Sequence, residues 1–260
     1  MKDVALSELT GYLDAYLRVG DVPDEPNAVN GLQVENGGTI TRIVAAVDAS
    51  LATIEGATAG EGPALILVHH GLLWDGNVPV AGRRRRRLSA LLAADAALYS
   101  AHIPLDVHPE VGNNVVLAER LGLIVDGWFG SYRGIPLGVH GHAPAALSHR
   151  PALLSEIERA LGVDADAIHL LPGGPDRLAH IGIITGAGGS MIAAARAAGL
   201  DTLITGEGPH HTYFDAMEWG LNVIYAGHYA TETLGVQALA SHLADRFDLP
   251  WEFHDHPTGL

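Results

Sequence analysis

The sequence predicts an α/β fold made of two equivalent repeats, and three observations predict it. Ile40–Val47 is an apolar, β-branched run, residues 51–60 suit a short helix, and Ala64–Val68 is a second apolar run. Strand, helix and strand at that spacing form a βαβ unit, which favours a parallel sheet. The chain also resembles itself. Arg177–Ile184 aligns with Ile40–Val47 at an offset of 137, and at that offset Leu65–Gly71 aligns with Thr202–Gly208. Further on the offset falls to 126, where Tyr99-Ser100-Ala101-His102 faces Tyr225-Ala226-Gly227-His228 and Asp106 faces Glu232. Self-similarity at this length points to duplication, not a solenoid. Between the halves, residues 131–178 carry short strand-like pieces broken by Gly134, Gly138, Gly141 and Pro144 and then a helix near 150–161. The expected organisation is a first repeat at 1–130, a small connecting unit at 131–178 and a second repeat at 179–260.

Taken in order, residues 3–18 read as an amphipathic helix, with Val4, Leu6, Leu9, Leu13, Tyr16 and Leu17 near helical spacing. Asp21–Asn30 reads as a loop, and Asn30-Gly31-Leu32-Gln33-Val34 as a turn entering a short strand. Beyond the βαβ unit comes a run of arginines, Arg83 to Arg87, followed by an expected helix at 88–98. The run suits a solvated face at the head of that helix, an anion site for phosphate, or a subunit contact. Residues 98–106 read as a short strand with a polar end, and 115–121 as a helix. His140, His142, His149 and His169 show no ligand spacing.

The chemistry gathers at the strand ends. In open parallel sheets ligands sit beyond the carboxyl ends of the strands, where the first half places His69, His70 and Gly71. Both halves then carry His-x-x-x-carboxylate: His102 with Asp106, and His228 with Glu232. With Glu207, His210 and His211, these are the candidate site residues. Imidazoles and carboxylates in this proportion suit a pair of divalent ions such as Zn, Mn, Fe, Co or Ni. Paired ions are common in hydrolytic sites.

Composition narrows the alternatives. Thirty acidic against fifteen basic residues, a net charge of −15, argue against nucleic acid or an anionic membrane as partner. No cysteine is present, so thiolate metal sites, iron–sulfur clusters and thiol catalysis are excluded. No apolar run is long enough to span a membrane and the N-terminus lacks a signal-peptide pattern, so a cytoplasmic location is expected.

Several motifs together, Asn30-Gly31-Leu32-Gln33-Val34, Val68-His69-His70-Gly71, His102-x-x-x-Asp106 with Gly112-Asn113-Asn114, Thr205-Gly206-Glu207 and Gly227-His228-Tyr229-Ala230-Thr231-Glu232, resemble the Nif-three-like dinuclear metal-binding family. Bacterial members are often labelled GTP cyclohydrolase I type 2 homologs. The resemblance covers nearly the whole chain. It implies two intertwined three-layer α/β/α repeats with a small insert between them, two divalent metal ions per chain, and a ring-shaped homohexamer. It also implies His69, His70, Asp106, His228 and Glu232 as metal ligands, with Glu232 or Asp106 as the bridge. His102 falls at a position near the metals, either supporting a ligand or binding as one. His211, His102 and Glu207 are the implied proton-handling residues, although the segment Gly208-Pro209-His210 is shorter here than in the family.

Two functional readings follow. One is a metal-dependent hydrolase acting on a nucleotide or related phosphorylated small molecule, its phosphate near Arg83–Arg87. The other is a non-enzymatic metal carrier, regulatory protein or scaffold.

Overall fold

The structure is a computed structural model that describes residues 3–259. In chain order it opens with β1 (Val4–Ala5), α1 (Leu6–Tyr16), β2 (Gly31–Val34), β3 (Thr39–Ile40), β4 (Arg42–Asp48), α2 (Leu51–Thr58) and β5 (Ala64–His70). Next come α3 (Gly82–Ala93), β6 (Ala97–Ser100), α4 (Ile103–Asp106), α5 (Asn113–Arg120), β7 (Ile124–Tyr132), β8 (Ile135–His142) and α6 (Arg150–Leu161). The chain finishes with β9 (His169–Pro172), β10 (His180–Ile184), α7 (Ile192–Ala197), β11 (Thr202–Thr205), α8 (Thr212–Trp219), β12 (Asn222–Tyr225), α9 (His228–Phe247) and β13 (Trp251–Phe253). The mixed α/β class is as expected.

The residues divide into two compact units. One comprises the chain up to Leu105 with Gly235–His256, the other Asp106–Leu234 with the residues from Pro257 on. Among the described residues, the first unit holds a five-stranded sheet ordered β13-β4-β5-β6-β2. Its middle strands are parallel, with Ile43 opposite Leu65 and Leu65 opposite Ala97, while β2 runs antiparallel to β6. Val44, Ile66, Val68 and Leu98 point to one face, and Ile54 and Leu91 from α2 and α3 pack in the same cluster. This is why Ala64–Val68 reads as an unbroken apolar run: a parallel strand is covered on both faces.

Among the described residues, the second unit has a six-stranded sheet ordered β7-β8-β10-β11-β12-β9. Here β10, β11 and β12 are parallel, with Ile181 opposite Thr202 and Thr202 opposite Asn222. The duplication therefore extends to topology: β4, β5 and β6 correspond to β10, β11 and β12. Strand β9 also lies antiparallel beside β12, as β2 lies beside β6. The divisions between units thus differ from the segments expected from sequence. Residues 131–178 do not stand apart as a small unit. They supply β8 and β9 to the second sheet, and Leu153 and Ile157 of α6 lie in its core with Ile181 and Ile204. The sheets differ at the other edge: β10 is flanked by the antiparallel hairpin β7–β8, whereas β4 is flanked by the single parallel strand β13.

The helix expected at 88–98 begins six residues earlier, so all five arginines lie inside α3. Arginine is a good helix former, and the local charge is met by neighbours. Arg83 pairs with Asp75. Buried Arg84 donates to the carbonyls of Gly76 (2.8 Å) and Val78 (3.1 Å). Two members of the run therefore pin the loop after His70 instead of standing free in solvent.

Candidate metal centre

In the first unit, β5 carries His69 and His70 to its carboxyl end, and His102 follows β6. The His69 ring is fully buried. One nitrogen from each of the three rings lies within 4.8 Å of the others, a spacing that could hold a metal ion. Ring centroids are 4.8 Å apart for His69–His70 and 4.9 Å for His69–His102.

The far side of each ring is anchored in the same way. His69 Nδ1 lies 2.9 Å from the Ala101 carbonyl, His70 Nδ1 2.9 Å from Asp48 Oδ1, and His102 Nδ1 2.8 Å from Asp24 Oδ1. A carbonyl or ionised carboxylate only accepts, so each Nδ1 carries a proton, and in the neutral ring the lone pair is then on Nε2. Neutral imidazoles fixed in that tautomer are prepared metal ligands. Burial works to raise the Asp24 pKa, but hydrogen bonds from His102 and Asn30 prevail and hold it below the usual carboxylate value.

The segment Asn30–Val34 is a bracket for these rings as well as a turn into β2. Asn30 Oδ1 accepts from the His102 backbone N–H at 2.7 Å, and its amide donates to Asp24 at 2.8 Å. Gln33 Oε1 accepts from the Leu72 N–H at 2.7 Å. A side chain at Gly71 would collide with the Gln33 amide, which explains a glycine directly after the histidine pair.

The second unit presents carboxylates. His228 and Glu232 sit one turn apart on α9, a spacing that puts them on one face, with His228 Nε2 3.2 Å from Glu232 Oε1. His228 Nδ1 lies 2.8 Å from Glu207 Oε1. Hydrogen bonding to Glu232 in particular pushes the His228 pKa up to about 9. The buried Asp106 is oriented by Asn113, whose amide donates to Oδ1 at 2.8 Å, while Asn114 donates to the Asp106 carbonyl at 3.2 Å. Asn114 Oδ1 in turn accepts from the Thr185 N–H. The Gly112-Asn113-Asn114 segment therefore positions a carboxylate. Gly186 has φ +66°, and a Cβ there would run into the Glu232 carboxylate.

The sequence candidates thus fall into two groups. His69, His70 and His102 gather in one unit; His228, Glu232 and Glu207 gather in the other, which also holds Asp106. His210 and His211 lie exposed just ahead of α8, and neither ring hydrogen-bonds to Glu207 or His228 among the described residues. Asp24 and Asp48 escaped the sequence reading because only the folded chain brings them to His102 and His70. One signal existed for Asp48: it ends the strand that pairs with β5, directly opposite His70. Asp48→Ala is expected to weaken divalent-metal affinity about 10–100-fold, the usual cost of losing an outer partner, with an unchanged melting curve because the aspartate is partly exposed. Competition against a chelating dye measures it, and equal affinity in both proteins would show that this anchor is idle.

No helix among the described residues is long and apolar enough to cross a membrane. A family model described as Duf34/NIF3 (NGG1p interacting factor 3) matches residues 4–258. A Deinococcus radiodurans protein named GTP cyclohydrolase 1 type 2 homolog is 43% identical over 99% of this chain and 95% of its own length. A Pyrococcus abyssi protein of the same name is also 43% identical, over 97% of this chain and 98% of its own. A crystal structure of a Thermus thermophilus protein superposes with a TM-score of 0.87 at 41% identity, covering 99% of this chain and all of that one.

Proposed function

Because the chain belongs to the Duf34/NIF3 family, we propose that it is a dinuclear metal protein and a metal-dependent hydrolase of nucleotides or related phosphorylated small molecules. The proposed ligands are His69, His70, Asp106, His228 and Glu232. The observation that carries the reading is the common anchoring of the imidazoles: His69, His70, His102 and His228 each engage an acceptor through Nδ1. A set of rings oriented in this way fits Zn, Mn, Fe, Co or Ni. His102 has the same preparation as His69 and His70 and serves either as a further ligand or as a support for their orientation.

Divalent ions held there supply Lewis acidity and make water more acidic. The chain's own part is to orient and to move protons. Glu207, half exposed and bonded to His228, is the group proposed to take a proton from an incoming nucleophile and return it to a leaving group. His211 belongs to the same proposal as a proton carrier. In the arginine run, Arg83 and Arg84 are engaged with the 75–78 loop, which leaves Arg85, Arg86 and Arg87 for a phosphate. Arg87 is half-buried and feels the charges of Asp75 and Asp48; burial, and then Arg83, lower its pKa. A ring-shaped hexamer, with sites turned to a shared interior, is the assembly proposed with this chemistry.

Protein loaded with Mn, Zn or Fe is expected to turn over at least one substrate from a panel of nucleoside triphosphates and model phosphoesters, read as phosphate release and as change in the nucleotide's absorbance. Retained metal with no turnover of any substrate would overturn the hydrolase reading and favour a metal carrier.

A further inference from the structure

The second unit contains a cavity of about 350 Å³ that no metal ligand lines. We infer that this cavity, between Tyr225, Tyr229 and the Glu207 carboxylate, binds the neutral planar base of a nucleoside and leaves the phosphate-bearing end of the ligand outside. The inference extends the hydrolase reading, from which it takes only the class of substrate.

The volume lies within the range of small-molecule sites. Its surface is mostly apolar, and it is set by two aromatic rings and by residues with little or no side chain. Tyr225 ends β12, its hydroxyl held by Thr212, and Tyr229 is buried in the first turn of α9. On the intervening wall, Gly206 and Gly208 have no room for a Cβ: one would strike the Gly186 carbonyl at 2.6 Å, the other the Tyr225 hydroxyl. Gly206 is thus closely packed on the strand end behind the cavity, and at Gly208, where Tyr225 itself lines the space, a side chain would crowd the ring a flat ligand needs. Aromatic walls favour a ring that stacks or meets them edge-on.

The polar groups narrow the class. Glu207 gives one oxygen to His228 Nδ1. A carboxylate has a second acceptor oxygen, and it calls for an N–H donor on the ligand. His169 on β9, the cross-strand neighbour of Tyr225, offers a ring nitrogen. Among the described residues no lysine or arginine lines the cavity, so a phosphate or carboxylate inside it would meet a like charge and no cation. A neutral heteroaromatic ring bearing N–H groups satisfies all of these walls, and a phosphate does not. Glu207 joins this cavity to His228, which places the base one residue away from the proposed metal ligands.

The test is calorimetric titration of metal-loaded protein with the neutral nucleosides guanosine, adenosine and uridine, beside two variants that fill the cavity from its rim, Ala167→Trp and Val163→Phe. Ala167 is exposed in a short turn, so its substitution leaves the fold intact. At least one nucleoside is expected to bind the parent protein and to bind the Ala167→Trp variant at least tenfold more weakly, with metal content the same in both. Absence of binding by all three nucleosides, or equal binding to parent and both variants, overturns the inference. Metal content is read on the same samples. Binding that persists in protein unable to hold metal would leave the cavity assignment standing while the metal reading fails.

Discussion

Protein carrying His69→Ala together with Glu232→Ala will retain less than a tenth of the parent's metal and will show no turnover above background. His69 is fully buried and Glu232 nearly so, so no solvent-borne side chain can take either place. The substitutions remove one imidazole whose tautomer the Ala101 carbonyl fixes and one carboxylate that holds His228. The cost to the fold is smaller. An Ala101 carbonyl left without its donor costs about 1–3 kcal/mol, which a melting curve followed by circular dichroism will register as a lowered midpoint with a cooperative transition kept. Elemental analysis on the same preparation separates loss of metal from loss of fold. A folded double variant with the parent's metal content would remove both residues from the ligand set.

Gly186→Ala should have the next largest effect, although it alters no ligand. At φ +66° a side chain is strained by about 1–2 kcal/mol, and here the new Cβ would also collide with a Glu232 oxygen and lie 3.5 Å from His228 Nε2. The carboxylate must move away from the imidazole it faces. Gly199 provides the control: it has φ +75°, and among the described residues nothing lies within 4 Å of a Cβ built there. Gly199→Ala is expected to lose stability of about 1 kcal/mol from the backbone alone and to keep its metal, whereas Gly186→Ala loses both. Urea unfolding and metal analysis of the pair make the comparison. Equal metal content in the two variants would refute the crowding argument.

Much of the fold was legible because its strands are buried on both faces and its repeats keep register. Ile40–Val47 and Ala64–Val68 announced a parallel pair, and the offset from 40 to 177 announced a second one. Strand β9 was hidden because His169 and Pro172 at its ends give it no apolar signature; its place comes from pairing with β12. The start of α3 was hidden because five arginines in a row look like a solvated cap until Asp75 and the carbonyls of Gly76 and Val78 are seen to engage two of them.

The candidate site divides in the same way. Its chemistry-bearing residues could be read from type and spacing: a His-His strand end and two His-x-x-x-carboxylate arms. What orients them could not. Asp24 lies 78 residues from His102 in sequence, and Asp48 lies 22 from His70. The asparagines and Gln33 looked like turn formers, and their amide groups proved to hold Asp106, His102 and the turn after His70. Polar residues at turns satisfy backbone groups by default, so a second duty toward a site leaves no separate mark in sequence.

Whether oriented imidazoles and carboxylates on this chain hold a pair of divalent ions is tested most directly by elemental analysis. The parent protein is purified gently without chelator, with protein concentration fixed by amino-acid analysis. Close to two transition-metal ions per chain are expected. A value well under one, unchanged after incubation with Mn, Zn or Fe and removal of the excess, would contradict the dinuclear centre.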